Sequence, residues 1–260
     1  RRLSIIDLEG GRQPMTAMHG GLREVAAITY SGEVYNFREL RTELQRRGHH
    51  FETRSDTEVV LRAYVEWGEG FVERLNGMYA FALWDLRTQE LLLIRDRMGV
   101  KPLYYYPTAD GVVFGSEPKA LLANPLVPRK VRADGLREIL EMVKTPGHAV
   151  FAGMREVMPG EIVRINRQGL FRRHYWKLEA REHEHTLDET IRNTRDLLED
   201  IVDRQIVADV PLCSLLSGGL DSSIITALAS KKLLAAGKEN IRSFARALSS
   251  SRRPPPKAAV

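Results

Sequence analysis

The stretch Leu215-Leu216-Ser217-Gly218-Gly219-Leu220-Asp221-Ser222-Ser223 carries residue types whose spacing suits holding a polyanion. The apolar run Val210 to Leu216 leads into it and reads as a buried parallel strand. Ile224, Ile225, Leu228 and Ala229 then recur at helical spacing, so the Ser-Gly-Gly falls in a strand-to-helix turn. Two glycines let backbone N–H groups come close to an anion with no Cβ in the way. The helix that follows points its positive end at the same place. Ser217, Ser222 and Ser223 add hydroxyl donors. The chemistry implied is a pyrophosphate cradle.

Three other phosphate or nucleophile motifs do not fit. A Walker loop needs a lysine in the turn, a nucleophile elbow needs Gly-x-Ser-x-Gly, and the dinucleotide fingerprint needs a third glycine. The pattern Ser-Gly-Gly-x-Asp-Ser resembles the PP-loop of the N-type ATP pyrophosphatase superfamily. That resemblance implies cleavage of ATP between its α and β phosphates, adenylation of a substrate and release of pyrophosphate. It places Ser217, Gly218, Gly219, Asp221 and Ser222 around the phosphates, directly or through Mg²⁺ held by Asp221, and Leu215 along the nucleotide.

Composition bounds the rest. A chain of 260 residues, 43% hydrophobic and 28% charged, reads as two ordinary globular domains. It shows no signal peptide and no run able to span a bilayer. The single cysteine, Cys213, excludes a disulfide framework and suits the cytoplasm; its place in the strand before the loop reads as a buried small residue. The net charge of +5 tempts a nucleic-acid reading, but residues 241–260 carry five basic residues and no acid. Without that segment the net charge is zero, so the basicity belongs to a tail and not to a domain face.

The first 120 residues alternate short strands with two helices. Val25 to Tyr30 reads as a strand turned by Ser31-Gly32. Phe37, Leu40 and Leu44 line a helix ending at Gly48, and Asp56 is placed to cap a second helix stopped by Gly68. Met78 to Asp85 with Leu91 to Asp96, and Tyr104–Tyr106 with Val112–Phe114, read as hairpins, with Met78, Phe81 and Trp84 as core. The expectation is stacked antiparallel sheets between helices. Arg95-Asp96-Arg97 reads as a buried structural network.

Several segments here resemble class II glutamine amidotransferases: Ser31-Gly32-Glu33-Val34-Tyr35-Asn36, Ser55-Asp56-Thr57-Glu58, Asn76-Gly77-Met78-Tyr79-Ala80-Phe81-Ala82 and Arg95 to Tyr105. With the PP-loop behind them, residues 1 to about 244 resemble the glutamine-hydrolysing asparagine synthetase family. The resemblance implies an α+β sandwich of the N-terminal-nucleophile type, layered αββα, followed by the start of an α/β parallel-sheet domain. It implies a cysteine nucleophile ahead of Arg1, so no nucleophile lies within the chain. Arg2, in Arg2-Leu3-Ser4-Ile5-Ile6, matches the partner of the glutamine α-carboxylate, Asp56 the partner of its ammonium, and Glu33 another pocket residue. Gly32 matches an oxyanion-hole N–H. Ser31 stands where the family has an asparagine whose amide is the second oxyanion donor.

Residues 121–185 read as a connector, with a helix marked by Leu136, Ile139, Leu140 and Val143, a hairpin of Glu161–Asn166 with Phe171–Trp176, and a charged linker in which His183 and His185 are solvated. Thr186-Leu187-Asp188-Glu189 is a capping box opening a helix that feeds the PP-loop strand. Residues 186–245 then form the start of the synthetase domain, and 246–260 read as a disordered tail. The activity implied by the resemblance is ATP-dependent asparagine synthesis from glutamine and aspartate through β-aspartyl-AMP, in a chain truncated at both ends and itself inactive. A homodimer is allowed, with no nucleic acid or membrane partner. Two alternatives stand beside it: an amidotransferase or cyclase acting on another carboxylate, and a non-catalytic remnant.

Overall fold

The computed structural model describes residues 5–19 and 23–245, apart from the side chains of His19 and Arg23. Arg2, Leu3, Ser4 and the tail 246–260 therefore lie outside the described residues. The chain divides into two compact units at His183/Glu184, and each is taken by itself.

In the first unit, β1 (Met15–His19) pairs antiparallel with β2 (Arg23–Val34). Helices α1 (Phe37–Arg46) and α2 (Asp56–Trp67) and a 3-10 turn (Gly68–Arg74) follow. Then come β3 (Gly77–Asp85) and β4 (Glu90–Arg95), β5 (Tyr104–Pro107) and β6 (Val112–Gly115), and the short helices α3 (Pro118–Leu121) and α4 (Ala133–Glu141). The strands β7 (Arg155–Glu156), β8 (Glu161–Asn166) and β9 (Gly169–His174) complete the unit. One six-stranded sheet has the order β1-β2-β3-β4-β8-β9, and a second has the order β6-β5-β7.

Alternation along β3 decides the layering. Tyr79, Phe81 and Leu83 point one way and Ala80 and Ala82 the other, and all five are buried. Phe81 meets Phe71 at 5.9 Å, and Phe71 meets Tyr64 of α2 at 5.5 Å, so the first face packs under the helices. Ala80, Ala82, Leu93 and Val163 pack with Leu103, Tyr105 and Val157 between the two sheets. Leu121 of α3 packs with Tyr104, Tyr106 and Val113 on the far face of the smaller sheet. The unit is thus α, β, β, α. Each fully buried large apolar side chain contributes about 1.5–3 kcal/mol relative to exposure.

Four expectations change here. Segment 121–185 is not a connector standing apart: β7 pairs with β5, and β8 pairs with β4 and brings β9 into the large sheet. The edges of β4 and β5 need backbone partners, and Ile162 and Val163 carry the apolar side chains to fill both faces. Ser31-Gly32 does not turn the chain, because β2 runs on through Val34 with Gly32 inside it. Ser55, not Asp56, caps α2, its hydroxyl accepting from Thr57 N–H. Trp84 is 39% exposed, because it sits on the inter-sheet face beyond the reach of the smaller sheet's covered core.

In the second unit, α5 (Leu187–Gln205) opens with the expected capping box between Thr186 and Glu189. Then β10 (Cys213–Leu216) leads to α6 (Leu220–Ala235) and β11 (Arg242–Ala245), which pairs parallel with β10. Val202 of α5 and Ala229 and Leu233 of α6 are buried. Cys213 is exposed and Leu215 is 78% exposed, against the expectation of a buried strand. A parallel strand is buried by neighbours on both edges and helices on both faces. Among the described residues β10 has the single strand neighbour β11. No helix of the described residues is long and apolar enough to cross a membrane.

Candidate functional site

The free edge of β2 is built by arithmetic on the ladder. Tyr79 gives its N–H to Asp96 Oδ2 (3.2 Å) and its carbonyl accepts from Asp96 N–H (2.8 Å). Both polar groups of Tyr79 thus face β4, so its register partner Gly32 belongs to a pair without mutual hydrogen bonds. The N–H groups of Tyr30, Gly32 and Val34 therefore all point away from β3. Two of the three have visible partners: Tyr30 N–H donates to Gln13 Oε1 (2.7 Å) and Val34 N–H to Asp56 Oδ2 (3.1 Å). Between them, Gly32 N–H faces the edge that β1 covers only as far as Ile28, opposite Met15.

Glycine at 32 is required twice. Its φ is +142°, and a Cβ there would strike Met78 O and lie 2.6 Å from Tyr79 Cα. Gly77 answers it on the opposite strand, where a Cβ would strike Glu33 O and lie 2.9 Å from Val34 Cα. The two strands touch backbone to backbone beside the exposed N–H.

Asp56 is 3% exposed and also accepts from Tyr30 Oη (3.0 Å). The burial of Tyr30 itself, and then the Asp56 charge and this bond, raise the Tyr30 hydroxyl pKa well above its ordinary range. Ile6 is buried, and the residue after it, Asp7, accepts Arg54 N–H at Oδ2 (2.7 Å) just before α2. Ser31 and Glu33 share the opposite side-chain face of β2 from Tyr30 and Val34. Burial first, then the Asp56 charge, lifts the Glu33 carboxyl to about 7, against a smaller opposing effect of Lys101. So Gly32, Glu33 and Asp56 are brought together.

Lys101 is held by a knot at the end of β4. Asp96 is 1% exposed and accepts from Met98, Val100 and Lys101 N–H as well as Tyr79 N–H. Arg95 donates to the carbonyls of Lys101, Gly99 and Val157, each at 2.7 Å, and pairs with Glu156 at 2.9 Å. The expected network is present, built mostly from backbone partners and not from the three side chains meeting one another.

The second unit holds the other site. Gly218 has φ +86°, with nothing within 4 Å of a Cβ placed there, and a Cβ on Gly219 would meet only Ser217 Oγ at 3.5 Å. The loop is an open concavity at the start of α6, for which Gly219 is the N-cap. Ser217 Oγ and Ser222 Oγ stand 3.0 Å apart across it, and Ser223 Oγ donates to Gly219 O (2.9 Å). Asp221 lies exposed in the first turn. One carboxylate with hydroxyl oxygens is a hard donor set, fitting a Mg²⁺ bound chiefly through substrate phosphates. Among the described residues no cluster of three His, Cys, Asp or Glu forms a cage for a metal by itself.

Residues 1–176 match the glutamine amidotransferase domain family. The chain belongs to that family. Residues 193–259 match the asparagine synthase family. Asparagine synthetase [glutamine-hydrolyzing] 3 of Bacillus subtilis (strain 168) is 44% identical over 246 residues, covering 94% of this chain and 40% of that protein. Asparagine synthetase [glutamine-hydrolyzing] of Zea mays is 34% identical over 240 residues, covering 90% and 34%. The chain thus spans about 40% of the Bacillus relative's length. Among solved structures, glutamine phosphoribosylpyrophosphate amidotransferase from B. subtilis, complexed with ADP and GMP, is similar at 21% identity and a TM-score of 0.47, covering 90% of this chain and 48% of that one. The amidotransferase match reaches through β9, in keeping with a first unit that includes the β8–β9 hairpin.

Sequence reasoning missed Gln13, Asp7 and Tyr30 as parts of the amidotransferase site. Each acts through a backbone or buried contact with a residue at least seventeen positions away, and none has a local periodicity to announce it.

Proposed function

We propose that the chain is the amidotransferase part and the beginning of the synthetase part of an ATP-dependent, glutamine-hydrolysing asparagine synthetase. The observation that carries the glutaminase half is Gly32 N–H, set on the free edge of β2 two residues from the buried carboxylate contact at Val34. Glutamine lies along this edge, its ammonium at Asp56 and its amide oxygen at Gly32, with Arg2 on the α-carboxylate and Leu3 to Ile6 beside it. A thiolate adds to the amide carbon and ammonia leaves. Ser31 offers a hydroxyl where the family's amide donor stands.

In the second unit Ser217, Gly218, Gly219 and Ser222 bind the phosphates of ATP, Leu215 lies along the nucleotide, and Asp221 holds Mg²⁺. Bound there, Mg²⁺ supplies charge neutralisation of the pyrophosphate leaving group. The residues orient the phosphates and donate N–H and O–H bonds to them while aspartate is activated as β-aspartyl-AMP. Ammonia from the first site completes the amide. The lone cysteine suits a cytoplasmic enzyme, and a homodimer is compatible with the reading.

The test is a paired assay on the full-length protein: glutamate from glutamine, and asparagine plus pyrophosphate from aspartate and ATP. Both products are expected. Pyrophosphate released with another carboxylate but not with aspartate supports a related amidotransferase instead, and release of neither product supports a non-catalytic remnant.

A further inference from the structure

Gln13 carries a polar group that the fold leaves unspent. Its Oε1 accepts Tyr30 N–H at 2.7 Å, which fixes the amide: the oxygen faces the strand and the nitrogen is the other end. That nitrogen, Nε2, is buried and has no hydrogen-bond partner among the described residues. A buried amide nitrogen without an acceptor is costly, so an acceptor is expected from outside the described chain.

Its place says which acceptor. Alternate N–H groups along a strand are about 7 Å apart, so Val34, Gly32 and Tyr30 form an evenly spaced row on one edge. Asp56 bonds the Val34 end and Gln13 the Tyr30 end. A glutamine whose ammonium is at Asp56 extends its amide toward Gly32, and the next group along is the Gln13 amide.

We propose that Gln13 Nε2 donates the second hydrogen bond to the substrate's amide oxygen, alongside Gly32 N–H. This rests on the glutaminase reading given above. As the thiolate forms its bond to the amide carbon, the carbonyl π pair moves to oxygen, and both donors meet the charge as it develops. When the pair returns, the C–N bond breaks, and the nitrogen leaves as ammonia with the proton that the attacking thiol gave up. Water then releases glutamate from the thioester.

The test uses Gln13→Glu in the full-length protein, which keeps the oxygen that Tyr30 N–H needs and replaces only the N–H donor. Glutamate release is expected to lose about 100-fold in kcat, with KM within about threefold, because the bond strengthens in the transition state. Pyrophosphate release with aspartate, ATP and ammonium salt is expected to stay at the wild-type rate, which reports an intact fold. Adding Ser31→Asn to Gln13→Glu is expected to recover about tenfold in kcat by supplying an amide from the neighbouring residue. An unchanged kcat in Gln13→Glu overturns the inference. So does an equal loss in the ammonium-dependent reaction, or a double variant no better than the single one. A wild-type protein that releases no glutamate overturns the glutaminase reading itself, and this inference with it.

Discussion

At the scale of single residues, the site depends on atoms that are missing. Gly77→Ala places a methyl against Glu33 O and 2.9 Å from Val34 Cα, so β2 must move away from β3 beside Gly32. We expect a loss of about 1–3 kcal/mol in urea unfolding. Gly70→Ala, where nothing lies within 4 Å, is the control and should stay within about 0.5 kcal/mol. Glu33 makes a second residue-scale prediction. Its carboxyl is raised from 4.5 to about 7 in the folded chain, so between those values the folded state holds a proton that the unfolded state has lost. Its contribution to stability is full below pH 4.5 and declines as pH rises toward 7. Melting temperatures measured from pH 4.5 to 8 should fall less steeply in Glu33→Gln than in the wild type; parallel curves would contradict this. The motif around Ser31-Gly32 was legible in the sequence. Its glycine was misread as a turn, because glycine's two uses, bending a chain and admitting a neighbouring backbone, look alike in one dimension.

At the scale of elements, local signals read well where they are local. The Thr186–Glu189 capping box and the hairpins formed where expected, since each depends on residues a few positions apart. What resisted reading was pairing across long separations: β8 beside β4, and β7 beside β5. The knot at Asp96 belongs to this scale, because one carboxylate ties β3, the end of β4 and the loop to Lys101. Asp96→Asn turns two accepting positions into an N–H₂ group facing N–H donors. We expect a loss of about 3 kcal/mol or more by urea unfolding, with glutamate release falling in parallel. Stability within about 0.5 kcal/mol of wild type would show the knot to be dispensable. Of the apolar stripe expected on α4, Leu136, Ile139 and Leu140 lie on the helix while Val143 falls past its end at Glu141, and all four side chains are more than half exposed. Periodicity gives a helix its apolar face without saying what covers it.

At the scale of the whole molecule, two compact units carry two separate candidate sites, one on a strand edge and one at a helix start. The αββα layering was legible because strand alternation and helix periodicity are both strong in residues 25–121. The exposure of β10 was not, since burial of a parallel strand is a property of the completed sheet. Adenylation and glutamine hydrolysis are proposed to be divided between these units. The most direct measurement is Asp221→Asn in the full-length protein, with pyrophosphate release from ATP and aspartate and glutamate release from glutamine followed on the same sample. An amide is a poorer ligand than a carboxylate for a hard cation, and the charge on the departing pyrophosphate grows in the transition state. Pyrophosphate release is expected to fall by about 100-fold or more, in kcat rather than KM, while glutamate release stays near wild type. Pyrophosphate release at the wild-type rate would contradict it and reduce Asp221 to a charge at the start of α6.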